Sequence, residues 1–386
     1  MDALGLARLQ FAVTTSFHFL FVLLTLGLVT LVAVAQTRAT LSDDPVHARM
    51  TWFWGRIYVV NYALGIATGI VMEFQFGLNW SGLSHYAGDV FGAPLAIETL
   101  VAFFLESTFL GLWIFGRDRL NRWVHLALIW LVALTAYASA LWIMVANAFL
   151  QHPVGHEERD GVLRLVDFSA LLANPLFTSA FWHVVCAALT TGGVFVTGVS
   201  AYHLVRRTTE VDFFRRSLRL GVVVTALAAP ALVGFGVAQF PVIGRFQPTK
   251  VADAGAGAAG LGLMVQIGLL LVLVSWLTVP LLLRDRVLRL RFVLHLMVLG
   301  IPLPFVAAIG GWLFRELGRQ PWLVYGLLRT EDAVSEVSRD GMLFSFIAFT
   351  AVFVVLAVAD WVLIARLVRR GPVDEAVPLS PLVPAL

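Results

Sequence analysis

The stretch AIETLVAFFLEST sets two carboxylates, Glu98 and Glu106, in a run of apolar and aromatic residues. On a uniform α-helix they lie about 80° apart around the axis and about 12 Å apart along it, so they share one broad face. Other chemically capable side chains stand in equally apolar surroundings: His18, Glu73, His183, His203, His295, Asp360 and, as the only methionine of its segment, Met264. Histidine nitrogen and methionine sulfur form a common axial pair for low-spin heme iron. A further histidine and a carboxylate could hold more iron, and buried carboxylates serve as proton relays. Each residue alone also has an ordinary use. A methionine packs, a histidine bonds a neighbouring helix, and His203, His295, Glu73 and Asp360 stand near the ends of their segments.

The elements that position these residues follow from composition. Of 386 residues, 59% are hydrophobic and 13% charged, with a mean hydropathy of +0.86. That is the composition of a membrane protein. A bilayer core of about 30 Å takes roughly 20 residues of helix. Nine stretches suffice: about 9–36, 53–77, 91–116, 125–149, 178–205, 218–241, 258–283, 291–314 and 343–368. The first is too long for the apolar region of a signal peptide and lacks a basic start or cleavage site, so it is expected to be retained. The single cysteine, Cys186, excludes an intrachain disulfide. A net charge of +3 gives no reason to expect a nucleic-acid partner.

Charge bias sets the expected orientation. Two thirds of the 27 Lys and Arg residues fall after spans one, three, five and seven and at the C-terminal end. These loops belong in the cytoplasm, with the N-terminus outside and the C-terminus inside. His18, His183, Met264 and Glu98 then fall towards the outer half of the membrane, with Glu106 deeper. Glu316 stands just past the outer end of span eight. The fold class is an all-α membrane protein, a bundle of nine transmembrane helices forming one domain over 1–370. A proline-rich tail over 371–386 is expected to be flexible. The outer segment NWSGLSHYAGD is expected to be a loop, and the polar stretch from Arg315 to Met342 to hold a short surface helix.

Three stretches carry a resemblance: RLQFAVTTSFHFLFVLLTLG, the run EFQFGLNW…SHYAGDVFGAPLAIETLVAFFLESTFLGLWIFG, and GRQPW at 318–322. They strongly resemble subunit I of the cytochrome bd quinol oxidases, over nearly the whole chain to about residue 370. The segment LWIMVANAFLQHP is similar to another family stretch. The resemblance implies oxidation of quinol and reduction of dioxygen to water in a bacterial cell membrane. It implies a low-spin heme b, a high-spin heme b, and a heme d or third heme b. It also implies a second membrane subunit, subunit II, and leaves room for small single-span subunits. By resemblance, His183 and Met264 are the axial ligands of the low-spin heme. His18 and Glu316 are ligands of the two high-spin hemes, which heme each serves being left open. Glu98 and Glu106 belong to the high-spin pair, as ligand or proton carrier. Arg319, Gln320 and Trp322 flank the quinol and heme region, and Lys250, the only lysine in the chain, belongs to the quinol site. Arg8 or Arg319 could pair with heme propionates.

The sequence departs from the family between spans six and seven. The hydrophilic quinol-binding loop expected there is missing, and about a dozen small or polar residues separate Lys250 from Met264. The glutamate expected five positions after the lysine is Gly255. Val237 stands in place of an acidic residue, and Gly262 in place of an arginine. Quinol oxidation needs a proton acceptor near the hydroxyl. Asp253 could supply it, a partner subunit could complete the site, or the donor is not a conventional quinol. The expected function is thus the heme-bearing subunit of a bd-type quinol:oxygen oxidoreductase. The alternatives are a divergent heme protein with another donor, or a proton-coupled transporter using Glu98 and Glu106 as relays.

Overall fold

The computed structural model describes residues 1–252 and 255–372. Asp253 and the tail from residue 373 lie outside the described residues. Among the described residues nine helices are long and apolar enough to cross a membrane: Ala3–Ser42, Pro45–Leu78, Ser81–Phe115, Arg122–Gln151, Pro175–Val205, Val211–Phe246, Ala258–Arg289, Arg291–Leu317 and Arg339–Arg370. They coincide with the nine expected spans, most running several residues further. Hydropathy registers the apolar part of a helix alone, whereas a 40-residue helix is about 60 Å long, twice the hydrocarbon thickness.

In chain order the elements are α1 (Ala3–Ser42), α2 (Pro45–Leu78), α3 (Ser81–Ile97), α4 (Phe104–Phe115) and α5 (Arg122–Gln151). The hairpin β1 (His156–Arg159) and β2 (Val162–Leu165) and the short α6 (Phe168–Leu172) lead to α7 (Pro175–Val205) and α8 (Val211–Phe246). The turn α9 (Pro248–Ala252) precedes α10 (Ala258–Thr278), α11 (Arg286–Arg289), α12 (Arg291–Leu299) and α13 (Leu303–Leu317). A second hairpin, β3 (Trp322–Val324) and β4 (Leu328–Arg329), is followed by α14 (Thr330–Ala333) and α15 (Arg339–Arg370). Local chemistry starts several of these helices. Asp44 and Asn174 accept from the backbone N–H groups of Val46 and Leu176 at 2.9 and 3.0 Å, and Pro45 and Pro175 take the first helical positions.

Two differences from the sequence expectation bear on the site. Most of NWSGLSHYAGD is helix, because α3 begins at Ser81. Its start is held from far along the chain: the Ser81 N–H donates to Ser335 Oγ at 2.9 Å. The second difference lies between α3 and α4, where residues Glu98–Phe103 form a π-helix. It follows Pro94, which has no N–H to donate. The uniform spacing assumed for Glu98 and Glu106 is therefore broken by a wider turn starting at Glu98 itself. Such π segments recur at functional sites.

Glycines set two helix crossings. A Cβ at Gly27 of α1 would meet Ala188 O of α7 at 2.2 Å and Gly192 Cα at 2.9 Å. A Cβ at Gly260 of α10 would meet Gly310 O of α13 at 2.5 Å. Small residues let helix backbones touch where lipid offers no hydrophobic drive to associate. His18 and His183 each stand nine residues before their crossing glycine, so about 14 Å along their helices from the same contact. The largest apolar cluster, including Leu28, Trp54, Trp113, Phe195 and Phe214, fills one end of the bundle. A second, including Ala87, Val90, Phe149 and Met342, fills the other.

Candidate functional site

One cavity of about 740 Å3 is lined by residues from α1, α2, α3, the π-helix, α4, α5, α7, α8, α9, α10 and α13. Its lining includes Arg8, His18, Glu98, Glu106, His183, Lys250, Met264, Glu316, Arg319 and Gln320. Of the expected site residues that are described, only Trp322 is absent from the lining, where its neighbour Leu323 takes part. Trp322 instead has the Arg329 guanidinium over its ring at 5.6 Å. Asp360 is buried elsewhere, beside a separate small pocket that Asn61 also lines.

His18 is oriented by α2. Its Nδ1 lies 2.9 Å from Thr68 Oγ1, and that hydroxyl donates its own proton to Gly65 O at 2.7 Å. Thr68 can therefore only accept from the imidazole. The proton sits on Nδ1, and Nε2 keeps its lone pair for a ligand. Gly69 makes room for the ring: a Cβ there would meet His18 Cε1 at 3.2 Å.

His183 shows the same arrangement. Its Nδ1 lies 2.9 Å from Leu232 O of α8, and a carbonyl only accepts, so Nε2 is again free to bind a metal. A Cβ at Gly236 would meet the His183 ring at 3.1 Å. Met264 on α10 packs beside Gly311 of α13, where a Cβ would meet the sulfur at 2.3 Å. Both potential axial ligands thus face the cavity from a wall of α7, α8, α10 and α13.

Glu316 closes another part of the cavity. It accepts from Arg319 Nη2 at 2.6 Å and from Asn147 Nδ2 of α5 at 3.1 Å. Arg315 Nε donates to Asn147 Oδ1 at 2.6 Å. Lys250 is buried, and its Nζ donates to Arg315 O at 2.6 Å and to Gln151 Oε1 at 3.1 Å. Burial, and after it the neighbouring Arg315 charge, pull its pKa down to about 6. Three basic side chains surround this one carboxylate. Arg319 Nε and Nη1 and Arg315 Nη2 are buried with no partner. Buried guanidinium N–H groups left without acceptors are costly, which fits a site that receives an anionic group.

The carboxylates of α2, the π-helix and α4 form a third cluster. Glu98 accepts from Ser139 Oγ at 2.5 Å and from Thr99 Oγ1 at 3.1 Å, and Thr99 also reaches Glu73 at 3.2 Å. Glu106 is buried, and its Oε1 has no partner. His203 and His295 are spent elsewhere, on Val368 O at 2.8 Å and Arg291 O at 2.7 Å.

The supporting residues were not singled out in the sequence. Thr68, Ser139, Asn147 and Gln151 were visible as polar residues in apolar spans, but nothing in their spacing tied them to the site. The glycines that clear space for His18, His183 and Met264 carry no local signal. Among the described residues no three His, Cys, Asp or Glu side chains converge as a bare metal site. The chain offers iron one or two axial ligands at a place, together with unpaired cationic donors. That donor set suits heme, whose ring supplies the remaining ligands and whose propionates suit the guanidinium groups.

Comparison with known proteins agrees. The profile described as cytochrome bd terminal oxidase subunit I matches residues 6–259 and 258–372. The chain is 36% identical over 443 residues to the cytochrome bd ubiquinol oxidase subunit 1 of Bacillus subtilis (strain 168), covering 96% of this chain and 94% of that protein. It is 31% identical over 500 residues to the cytochrome bd-II ubiquinol oxidase subunit 1 of Escherichia coli (strain K12), covering 96% and 97%. The structure of bd oxidase from Geobacillus thermodenitrificans superposes with a TM-score of 0.90 at 24% identity, over 96% of this chain and 99% of that one, a likeness of fold. These alignments exceed the 386 residues available, and the profile match divides at 258–259, beside the glycine and alanine run after Lys250. Nine apolar helices and bacterial relatives make this a multi-pass protein of a bacterial membrane. Matched over almost its whole length, the chain belongs to the cytochrome bd terminal oxidase subunit I family.

Proposed function

We propose that this chain oxidises quinol on the outer side of the membrane and reduces dioxygen to water with protons drawn from the cytoplasm. The observation that carries this is the single cavity, which joins four potential axial ligands to two carboxylates. Its relatives are named as ubiquinol oxidases. His183 and Met264 hold a low-spin heme b. His18 and Glu316 serve a high-spin heme b and a heme d or third heme b, with Glu98 at their border. With heme bound, His183 and Met264 would hold a group that supplies single-electron transfer, and His18 and Glu316 would hold groups that supply dioxygen reduction.

The protein's own groups do the rest. Thr68 and the Leu232 carbonyl fix the two imidazole tautomers. Arg315 and Arg319 offset anionic charge near Glu316 and bind propionate oxygens. Arg8, at the cavity's rim, and Gln320 complete the polar lining, and Trp322 stands next to Leu323 in the chain with Arg329 over its ring. Reducing one dioxygen to two waters consumes four protons. Glu106 passes them towards Glu98, which Ser139 and Thr99 hold in place. The outer N-terminus and cytoplasmic C-terminus rest on the arginine bias. Charge is separated because electrons enter from one side and protons from the other. A second membrane subunit, subunit II, completes the enzyme, with small single-span subunits as further partners.

A second reading keeps the hemes and changes the donor. It is favoured by the missing loop at 258–259 and by Gly255 where an acceptor glutamate is expected. Oxygen uptake by the purified complex separates the two. Quinol-driven uptake supports the first reading, and heme bands without it support the second. Absence of heme contradicts both.

A further inference from the structure

Lys250 is the only lysine in the chain, and it points inward. Its backbone N–H donates to Gln247 O at 3.1 Å, which places it in the turn α9. From there the side chain crosses Gly318. A Cβ on that glycine would meet Lys250 Cγ at 2.7 Å and Cε at 2.9 Å. Beyond Gly318 the amine lies 5.5 Å from the Phe314 ring and donates to Arg315 O. Arg315 is among the last residues of α13, whose terminal carbonyls have no partner within the helix. A donor there caps the helix and suits its dipole. The amine can donate in either protonation state. Gln151 ties the same group to α5, because Lys250 Nζ and Gln247 Nε2 both donate to Gln151 Oε1, at 3.1 Å each.

We propose that Lys250 is a positioning residue: it pins the donor-side turn 248–252 to the end of the helix carrying Glu316, through a gap that only glycine at 318 leaves open. On the functional reading above, this couples the donor side of the site to the placement of a high-spin heme ligand. It also gives Gly318, the first residue of GRQPW, a physical reason. Two of the amine's donors are committed to Arg315 O and Gln151, which fixes its place at the end of α13.

The test uses the complete oxidase complex with Gly318→Ala and Lys250→Met. The first keeps the amine but blocks its path, and the second removes it at similar length. Losing these bonds should speed amide exchange in the peptide covering 247–252 by roughly tenfold or more in both variants. Both should also shift the high-spin heme bands while the low-spin band stays in place. A raised quinol KM in Lys250→Met alone, with exchange and spectrum unchanged in both variants, would overturn the proposal in favour of direct quinol contact. Amide exchange needs neither heme nor quinol, so it tests the pin even if the oxidase reading fails. If Gly318→Ala does not assemble, Lys250→Met with unaltered exchange is enough to reject it.

Discussion

Gly311 and Met264 are matched to each other: a methyl group on the glycine would sit 2.3 Å from the methionine sulfur. No thioether can remain in place against such a contact, so the sulfur must swing away. If Met264 is an axial ligand as proposed, Gly311→Ala is expected to turn the low-spin heme towards a high-spin, ligand-accessible form, as Met264→Leu should. Reduced-minus-oxidised spectra with and without carbon monoxide read the change. An intact low-spin band in Gly311→Ala would show that Met264 is not held there as a ligand.

Thr68 orients His18 by accepting its Nδ1 proton. Residues that orient a metal ligand typically contribute about 10- to 100-fold to affinity or activity. Thr68→Val should lower oxygen reduction and high-spin heme retention by about that factor, and Thr68→Ser should restore both. Heme counting by pyridine hemochrome on the two variants decides the matter. Equal heme content and turnover in Thr68→Val would remove the orienting role.

Much of this was legible in advance, and the limits have physical reasons. His18, His183 and Met264 stood out because ionisable or metal-binding side chains are conspicuous in apolar spans, whereas Glu316, just past span eight, gained its role only through the resemblance. The nine helices followed from length and hydropathy. What escaped was whatever depends on another part of the chain. The start of α3 at Ser81 is held by Ser335, far along the sequence. The π-helix at Glu98 depends on a backbone register that side-chain periodicity does not encode. Gly27 and Gly192 look like any glycines in a membrane helix until the two backbones are seen to touch.

Glu106 is buried with an unbonded carboxylate oxygen at the cavity wall. As a proton carrier it should tolerate aspartate poorly and glutamine not at all. Well-placed proton-transfer groups contribute roughly 10²- to 10⁴-fold, and Glu106→Gln should slow oxygen reduction by that order while leaving electron transfer into the low-spin heme intact. Flow-flash measurements separate the two steps. Full-rate proton uptake in Glu106→Gln would place the pathway elsewhere.

At the end of the bundle assigned to the cytoplasm, Arg216 pairs with Asp44, and Arg49 bonds Glu210 at 2.8 Å. Burial alone would raise the Asp44 carboxyl, but the Val46 N–H, Arg216 and His47 outweigh it and hold it below its ordinary value. A carboxyl depressed by folding adds stability above its unfolded pKa of about 3.9, and that stability is lost as pH falls through the folded value. Asp44→Asn keeps the helix cap and removes the charge. It should lower the unfolding temperature at neutral pH, with the gap from wild type closing as the solution is taken below about pH 4. A gap that persists or widens on acidification would contradict the linkage.

The central claim is that one cavity in this chain holds a low-spin heme on His183 and Met264 and connects it to oxygen-reducing hemes. The most direct measurement is the optical spectrum of the purified complex, taken with quinol-driven oxygen uptake, for wild type and His183→Ala. The account predicts low-spin and high-spin heme bands with uptake in the wild type. In His183→Ala it predicts selective loss of the low-spin band together with uptake. A wild-type complex without heme, or a His183→Ala complex that keeps its low-spin band, would contradict it.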